Sequence, residues 1–376
     1  MAATHDTAVA PDTAAPTVMA VTSVMAATSA PPLATAAPSA PAPADPSDTT
    51  HSPVPPGTAA TPVAADTPDR PEGRTRMEHP ALRAALADVV AIPVTPFAAD
   101  GSIDRDAFRA TLRRLLDGGV RTVTPNGNTG EFYTLDPDER RLVTELTLQE
   151  TKGRAAVIVG VGHDLPTAKA DARHARDAGA DMIMVHQPTH PYVSRGGWID
   201  YHREVADSAP ELGVVPYIRN PLLDGRTIAE LGEQCPQVIG VKYAVPDATR
   251  FGAVARDAGL DRFVWVAGLA ELYAVPYWAM GATGFTSGLV NVAPTLSLAL
   301  LEALRTGDYQ AAQKIWERIR PFEELRAADQ SANNVTVVKE ALSILGLCRN
   351  AVRPPSKELP EPQRAEVAAA IEGWEI

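Results

Sequence analysis

Lysine is scarce in this sequence. Of its 34 basic residues only six are lysines (Lys152, Lys169, Lys242, Lys314, Lys339 and Lys357), and the rest are arginine. There is no basic excess either. The formal net charge is −12, which argues against nucleic acid or an anionic membrane surface as a partner. No apolar run approaches the ~18 residues that a membrane span needs. Cysteine is limited to Cys235 and Cys348, too few and too far apart for a disulfide framework or a zinc spacing. A reducing compartment, the cytoplasm, is the expectation.

Residues 1–76 lack any apolar periodicity and carry a proline every few positions, as in "APPLATAAPSAPAPADPSD". Such a stretch cannot bury enough apolar surface to offset its ordering entropy. It reads as a disordered tail, or as the product of a start codon placed too early, with Met77 as an alternative start. No basic residue precedes an apolar core, so it is a poor signal peptide, and it is too poor in arginine for a transit peptide.

From Glu78 the composition is globular. Eight short apolar runs alternate with longer helix-like stretches: 89–97, 120–126, 155–162, 181–187, 212–218, 238–244, 262–268 and 283–289. Near-continuous apolar strands alternating with amphipathic helices imply a parallel sheet covered by helices. Eight such units imply an α/β fold closed as a (β/α)8 barrel over 77–300, followed by a helical extension over 301–376. Asp104 and Asp136 suit helix N-caps, and Gly118, Gly153, Gly179 and Gly259 suit helix ends.

In such a barrel the functional residues lie at the C-terminal ends of the strands. There the chain carries Thr95, "NGNTGE" (126–131), "HQPTH" (186–190), "YIRN" (217–220), Lys242, "GLAE" (268–271) and "TSGL" (286–289). Lys242 is unexpected, because it interrupts the apolar run "VIGVKYAV". Strand alternation puts Val238, Gly240, Lys242 and Ala244 on one face, and Gly240 would leave room there for a substrate or a long side chain. A buried lysine loses its charge more readily and can then form an imine with a ketone. The bland alternative is a lysine ion-paired inside the barrel. Tyr217, one strand away, is placed to move protons. The Asn128-Thr129-Gly130 turn, with a hydroxyl and backbone N–H groups, suits a carboxylate next to a ketone.

With these pieces in order, the chain resembles the dihydrodipicolinate synthase / N-acetylneuraminate lyase family of Schiff-base lyases from about Val89 to Leu359. The matching segments are "IPVTPF" with "DGSID", "GNTGEFYTLDPDER", "DAGADMIMV", "VVPYIRNP", "IGVKYAVPD", "GATGFTSGLVNVAP" and "VRPPSKEL". The resemblance implies that Lys242 is the imine-forming lysine and Tyr217 the central proton-transfer tyrosine. It implies that Thr129 holds the 2-oxo acid carboxylate and that Thr286 lies beside the substrate. It also implies a homotetramer and chemistry that needs no cofactor and no metal.

Departures from the synthase pattern bear on the substrate. Asn128 stands where the synthase has a hydroxyl residue, and Leu222 where it has the arginine for its aldehyde partner. His190, with Tyr192 nearby, aligns with the synthase's second relay tyrosine. Arg219 resembles the "YNR" pattern of 5-dehydro-4-deoxyglucarate dehydratase, whereas "GVKYA" is more aldolase-like. His163, His186 and His190 near one rim raise a metal site as a lesser alternative to polar roles. Glu131 reads as a residue that fixes its own turn. The sequence thus predicts a lyase, aldolase or dehydratase, acting on pyruvate or a 2-keto-3-deoxy sugar acid. The rival from another class is a non-catalytic barrel that binds a 2-oxo acid.

Overall fold

The computed structural model describes residues 79–376. The expected tail therefore lies outside the described residues. The eight strands are β1 (Val89–Ala91), β2 (Thr122–Val123), β3 (Ala156–Val161), β4 (Met182–Val185), β5 (Gly213–Ile218), β6 (Gly240–Tyr243), β7 (Val264–Ala267) and β8 (Gly284–Ser287). All pair in parallel, in sequence order, and β8 returns to β1 to close the barrel. Each strand lies inside one of the apolar runs. The chain after β1 and β2 carries Pro93 and Pro125, which have no N–H to extend a ladder.

The described residues form twelve helices on and around the barrel: α1 (His79–Leu86), α2 (Arg105–Asp117), α3 (Pro137–Thr151), α4 (Leu165–Ala178), α5 (Arg195–Asp207), α6 (Gly225–Gln234), α7 (Ala248–Ala258), α8 (Ala270–Ala279), α9 (Pro294–Arg305), α10 (Tyr309–Ser331), α11 (Asn334–Ile344) and α12 (Glu361–Ile371). Asp104 and Asp136 cap α2 and α3, and Asp136 forms a reciprocal box with Glu139. Gly118 caps the end of α2 and Gly119 follows it with positive φ, Lys152 and Gly153 end α3 with two left-handed residues, and Gly179 and Gly259 close α4 and α7 with positive φ. The expected domain boundary at 300 falls inside α9. None of the described helices is long and apolar enough to cross a membrane.

Apolar side chains pack in two layers. Val89, Ala91, Val157, Val159 and Ile183 face outward to the helices, while Val90, Ile158, Met184, Val215 and Val266 fill the barrel. This two-sided burial is why the strands read as continuous apolar runs. Leu82 and Leu86 of α1 join the inner layer. Arg83 fixes that helix by donating from Nη1 to the carbonyls of Ile239 and Arg262, at 3.1 and 2.8 Å.

The α1 plug decides between the two readings of Gly240 in favour of a side chain. A β-carbon there would collide with Leu86 Cδ2 and lie 2.8 Å from the Val264 carbonyl. The space at Gly240 admits the plug at the barrel floor, not a substrate. Val238 also departs from the expected face: it belongs to the outer layer, and Ile239 to the inner one.

Candidate active site

Two adjacent strands set the centre of the site. Tyr217 on β5 and Lys242 on β6 are paired residues of the ladder. Lys242 is 3% exposed, and its Nζ lies 4.1 Å from the Tyr217 ring centroid. Burial, and then the nearby Arg219 charge, pull the Lys242 ammonium down to about 7. Both causes act by disfavouring the charged form.

The ion-pair alternative for Lys242 can be judged against a second buried lysine. Lys339 comes from a segment that reads as polar, yet it is fully buried in α11. It bonds Glu131 Oε1 at 2.5 Å and the Ala351 carbonyl at 2.8 Å. Lys242 has no carboxylate partner among the described residues. Glu131 therefore does more than fix its own turn. Its other oxygen accepts from the Arg353 amide at 2.9 Å, so the carboxylate ties the 128–130 turn to the C-terminal extension. Its left-handed backbone, φ 60°, is uncommon for a residue with a side chain.

That turn is a short 3₁₀ segment, Asn128–Gly130. Asn128 Nδ2 donates to the Tyr217 hydroxyl at 3.1 Å. Burial pushes the Tyr217 phenol up, opposed by the Arg219 charge and the Asn128 bond. Thr129 is buried and faces the cavity. The amides of Asn128 and Thr129 open the turn and have no partner among the described residues, as at any helix start. Gly130 is placed differently from the expectation. Its N–H bonds the Gly127 carbonyl at 3.0 Å and its carbonyl accepts from Thr95 Oγ1 at 2.8 Å. It packs the turn against Pro93 and is not a free donor to a ligand.

These side chains surround a cavity of about 320 Å³ at the C-terminal mouth of the barrel, which Thr286 of β8 and Arg219 also line. Arg219 is exposed, two residues past Tyr217, and its backbone N–H donates to Gln187 Oε1 at 3.3 Å. His190 is not brought in. It is exposed in the loop after β4, with Nδ1 2.8 Å from the Tyr192 carbonyl, and Tyr192 itself is 85% exposed. That loop turns outward before α5, so neither side chain lines the cavity.

His186 is buried and stacks on Phe132 at 4.1 Å, with Nε2 2.9 Å from the Asn126 carbonyl. Burial pulls it down to about 3, so it stays neutral near neutral pH. His163 packs on the same ring at 4.7 Å. Among the described residues no three His, Cys, Asp or Glu side chains converge as a metal set.

Sequence reasoning missed the far wall. Glu323 and Arg326 of α10 and Asn334 of α11 line the same cavity. Glu323 and Arg326 are both buried and paired at 2.5 Å. An i,i+3 acid–base pair on a helix reads as a solvated face, and only the packing of α10 reverses that. A buried polar group under this wall lay within the strand-end segment "GLAE", but sequence reasoning gave it no role. Glu271 accepts from Ser287 and Ser297, both at 2.5 Å, and burial and then the Glu323 charge push it up to about 7.

The comparisons agree with this architecture. The model of the dihydrodipicolinate synthetase family matches residues 85–373. A protein of Methylobacterium radiotolerans named "Probable 5-dehydro-4-deoxyglucarate dehydratase" is 35% identical over 287 residues, 75% of this chain and 93% of that one. The crystal structure of dihydrodipicolinate synthase from Bacillus clausii is 38% identical, with a TM-score of 0.76, over 78% of this chain and 100% of that one. The corresponding synthase of Oceanobacillus iheyensis is 34% identical, with a TM-score of 0.76, over 79% and 99%. With the eight-stranded barrel and its lysine-centred mouth, this match establishes that the chain belongs to the dihydrodipicolinate synthetase family and is a lyase of that family.

Proposed function

We propose that this lyase binds a 2-oxo acid as an imine on Lys242. One observation carries the reading: a buried amine, pulled down to about 7, that opens onto a cavity and has no carboxylate partner among the described residues. The neutral amine attacks the C2 ketone and water leaves. The imine then acts as an electron sink for the bonds beyond C2. Tyr217 moves the protons. The Thr129 hydroxyl and the two free amides of its turn take the carboxylate. To test this, pyruvate and borohydride should add one substrate-derived mass to the peptide containing "GVKYA". An unmodified Lys242, or activity that survives Lys242→Ala, would end the reading.

Within this scheme the dehydratase branch has specific support. A proton leaves C3 and hydroxide leaves C4 of a 2-keto-3-deoxy sugar acid, where an aldolase would break a carbon–carbon bond. The Tyr217 hydroxyl is held by an amide, Asn128, which cannot relay protons as a hydroxyl would. Leu222 is 75% exposed and offers no charge for an aldehyde partner's carboxylate. The Methylobacterium relative bears a dehydratase name. Trapping the adducts of a panel of 2-oxo acids, with release of water or of an aldehyde followed in parallel, separates the two branches. Trapping without any turnover would favour the non-catalytic barrel. A homotetramer, as the family resemblance implies, working in the cytoplasm, as the scarcity of cysteine suggests, completes the proposal, and sedimentation of the purified protein tests the assembly.

A further inference from the structure

We infer that Arg326 contacts the substrate, its guanidinium supplying the cation for the 2-oxo acid carboxylate beside the Thr129 hydroxyl. The inference rests on the reading above that places the carboxylate at Thr129.

Arg326 belongs to α10, outside the barrel, yet it is 4% exposed and lines the same cavity as Lys242 and Tyr217. Gly288, just past β8, locates its head group. A β-carbon on Gly288 would collide with the Arg326 guanidinium and would lie 3.1 Å from Thr129 Oγ1. The guanidinium thus lies over the bare backbone of Gly288, close to the hydroxyl, an approach that a side chain at 288 would block. Thr129 Oγ1 has no hydrogen-bond partner among the described residues.

The guanidinium is also held in place. Nη1 donates to Glu323 Oε1 at 2.5 Å, Nη2 to Asn334 Oδ1 at 2.7 Å and Nε to the Asn334 carbonyl at 3.4 Å. Arginine has five N–H donors in a rigid plane. One N–H on each terminal nitrogen is therefore left without a partner among the described residues. Two such donors in a fixed fork suit a carboxylate. The competing account makes the Glu323–Arg326–Asn334 group a clamp between α10 and α11 and nothing more. A clamp does not need to lie over a bare glycine backbone or beside an unpaired hydroxyl.

The test compares pyruvate with pyruvamide, which keeps the ketone but carries no charge. The concentration giving half-maximal borohydride trapping is measured for each. In Glu323→Gln/Arg326→Gln, which removes the guanidinium without stranding a buried carboxylate, the pyruvate value should rise roughly 10- to 100-fold, the effect of a hydrogen bond to a charged group. The pyruvamide value should stay within about threefold, inside the usual context scatter of such contacts. Gly288→Ala displaces the guanidinium while leaving its partners in place. It should shift pyruvate selectively too, and it gives the comparison if the double variant does not fold. Equal shifts for both ketones, or no shift for pyruvate in a folded variant, would overturn the role of Arg326 while leaving the imine intact. Failure of the wild-type protein to trap pyruvate at all would remove the Lys242 reading, and this inference with it.

Discussion

Lys242 and Tyr217 face each other across the β5–β6 ladder, with the lysine Nζ 4.1 Å from the centre of the tyrosine ring. Parallel pairing puts directly opposed side chains on the same face of a sheet. On this barrel that face is the interior, so the amine meets an aromatic wall in place of water. The same relationship supplies desolvation and brings a hydroxyl near the reacting carbon.

Imine formation should therefore depend on pH. Only the neutral amine attacks, so the trapping rate with subsaturating pyruvate should rise through about pH 7 and level off above it. Arg219→Gln removes the second cause of the shift, and the midpoint should move upward. A rate that is flat across the neutral range would show that another step limits trapping.

Tyr217→Phe keeps the ring against Lys242 and removes the hydroxyl. Turnover should fall roughly 10²–10⁴-fold, the range for a positioned acid–base group, while trapping survives at a slower rate. Asn128→Leu removes only the donor to that hydroxyl. A loss of about 3- to 10-fold is expected, in line with one neutral hydrogen bond. Near-normal turnover in the Phe variant would assign the proton transfer elsewhere.

Lys339→Met leaves Glu131 buried without its ammonium partner. Stability should drop by about 3–5 kcal/mol, as for other broken buried pairs. Glu131→Gln/Lys339→Met removes both charges and should recover part of that loss. Urea unfolding of the three proteins measures the difference. Equal stabilities for the single and double variants would show that the stranded charge is not what costs the energy.

Condensation of pyruvate with aspartate semialdehyde should be negligible. Leu222 cannot pair the aldehyde's carboxylate, and an unpaired charged group in a pocket costs several kcal/mol, about 10² or more in rate. Efficient condensation by the purified protein would show that another cation, with Arg219 the first candidate, takes that carboxylate.

The barrel was legible from the chain because two-sided burial writes each strand as an apolar run, and because helix caps are local. Lys242 stood out for the same reason: a charged residue in such a run contradicts its surroundings. Tyr217 followed from its strand end and Thr129 from its glycine-rich turn, whereas Thr286 came from the family resemblance. The C-terminal wall was not legible. Lys339, Glu323 and Arg326 sit in helices with ordinary polar patterns, and a helix sequence does not record which face a distant element will cover. Gly240 was ambiguous for a related reason, since an absent side chain does not say what fills the space. Leu86 fills it. His190 was placed by alignment, but the loop carrying it is set by its own contacts and leads away from the cavity. Local patterns thus determined the elements and the reactive lysine. Long-range packing decided which charges are paired, and so which lysine is left free to react.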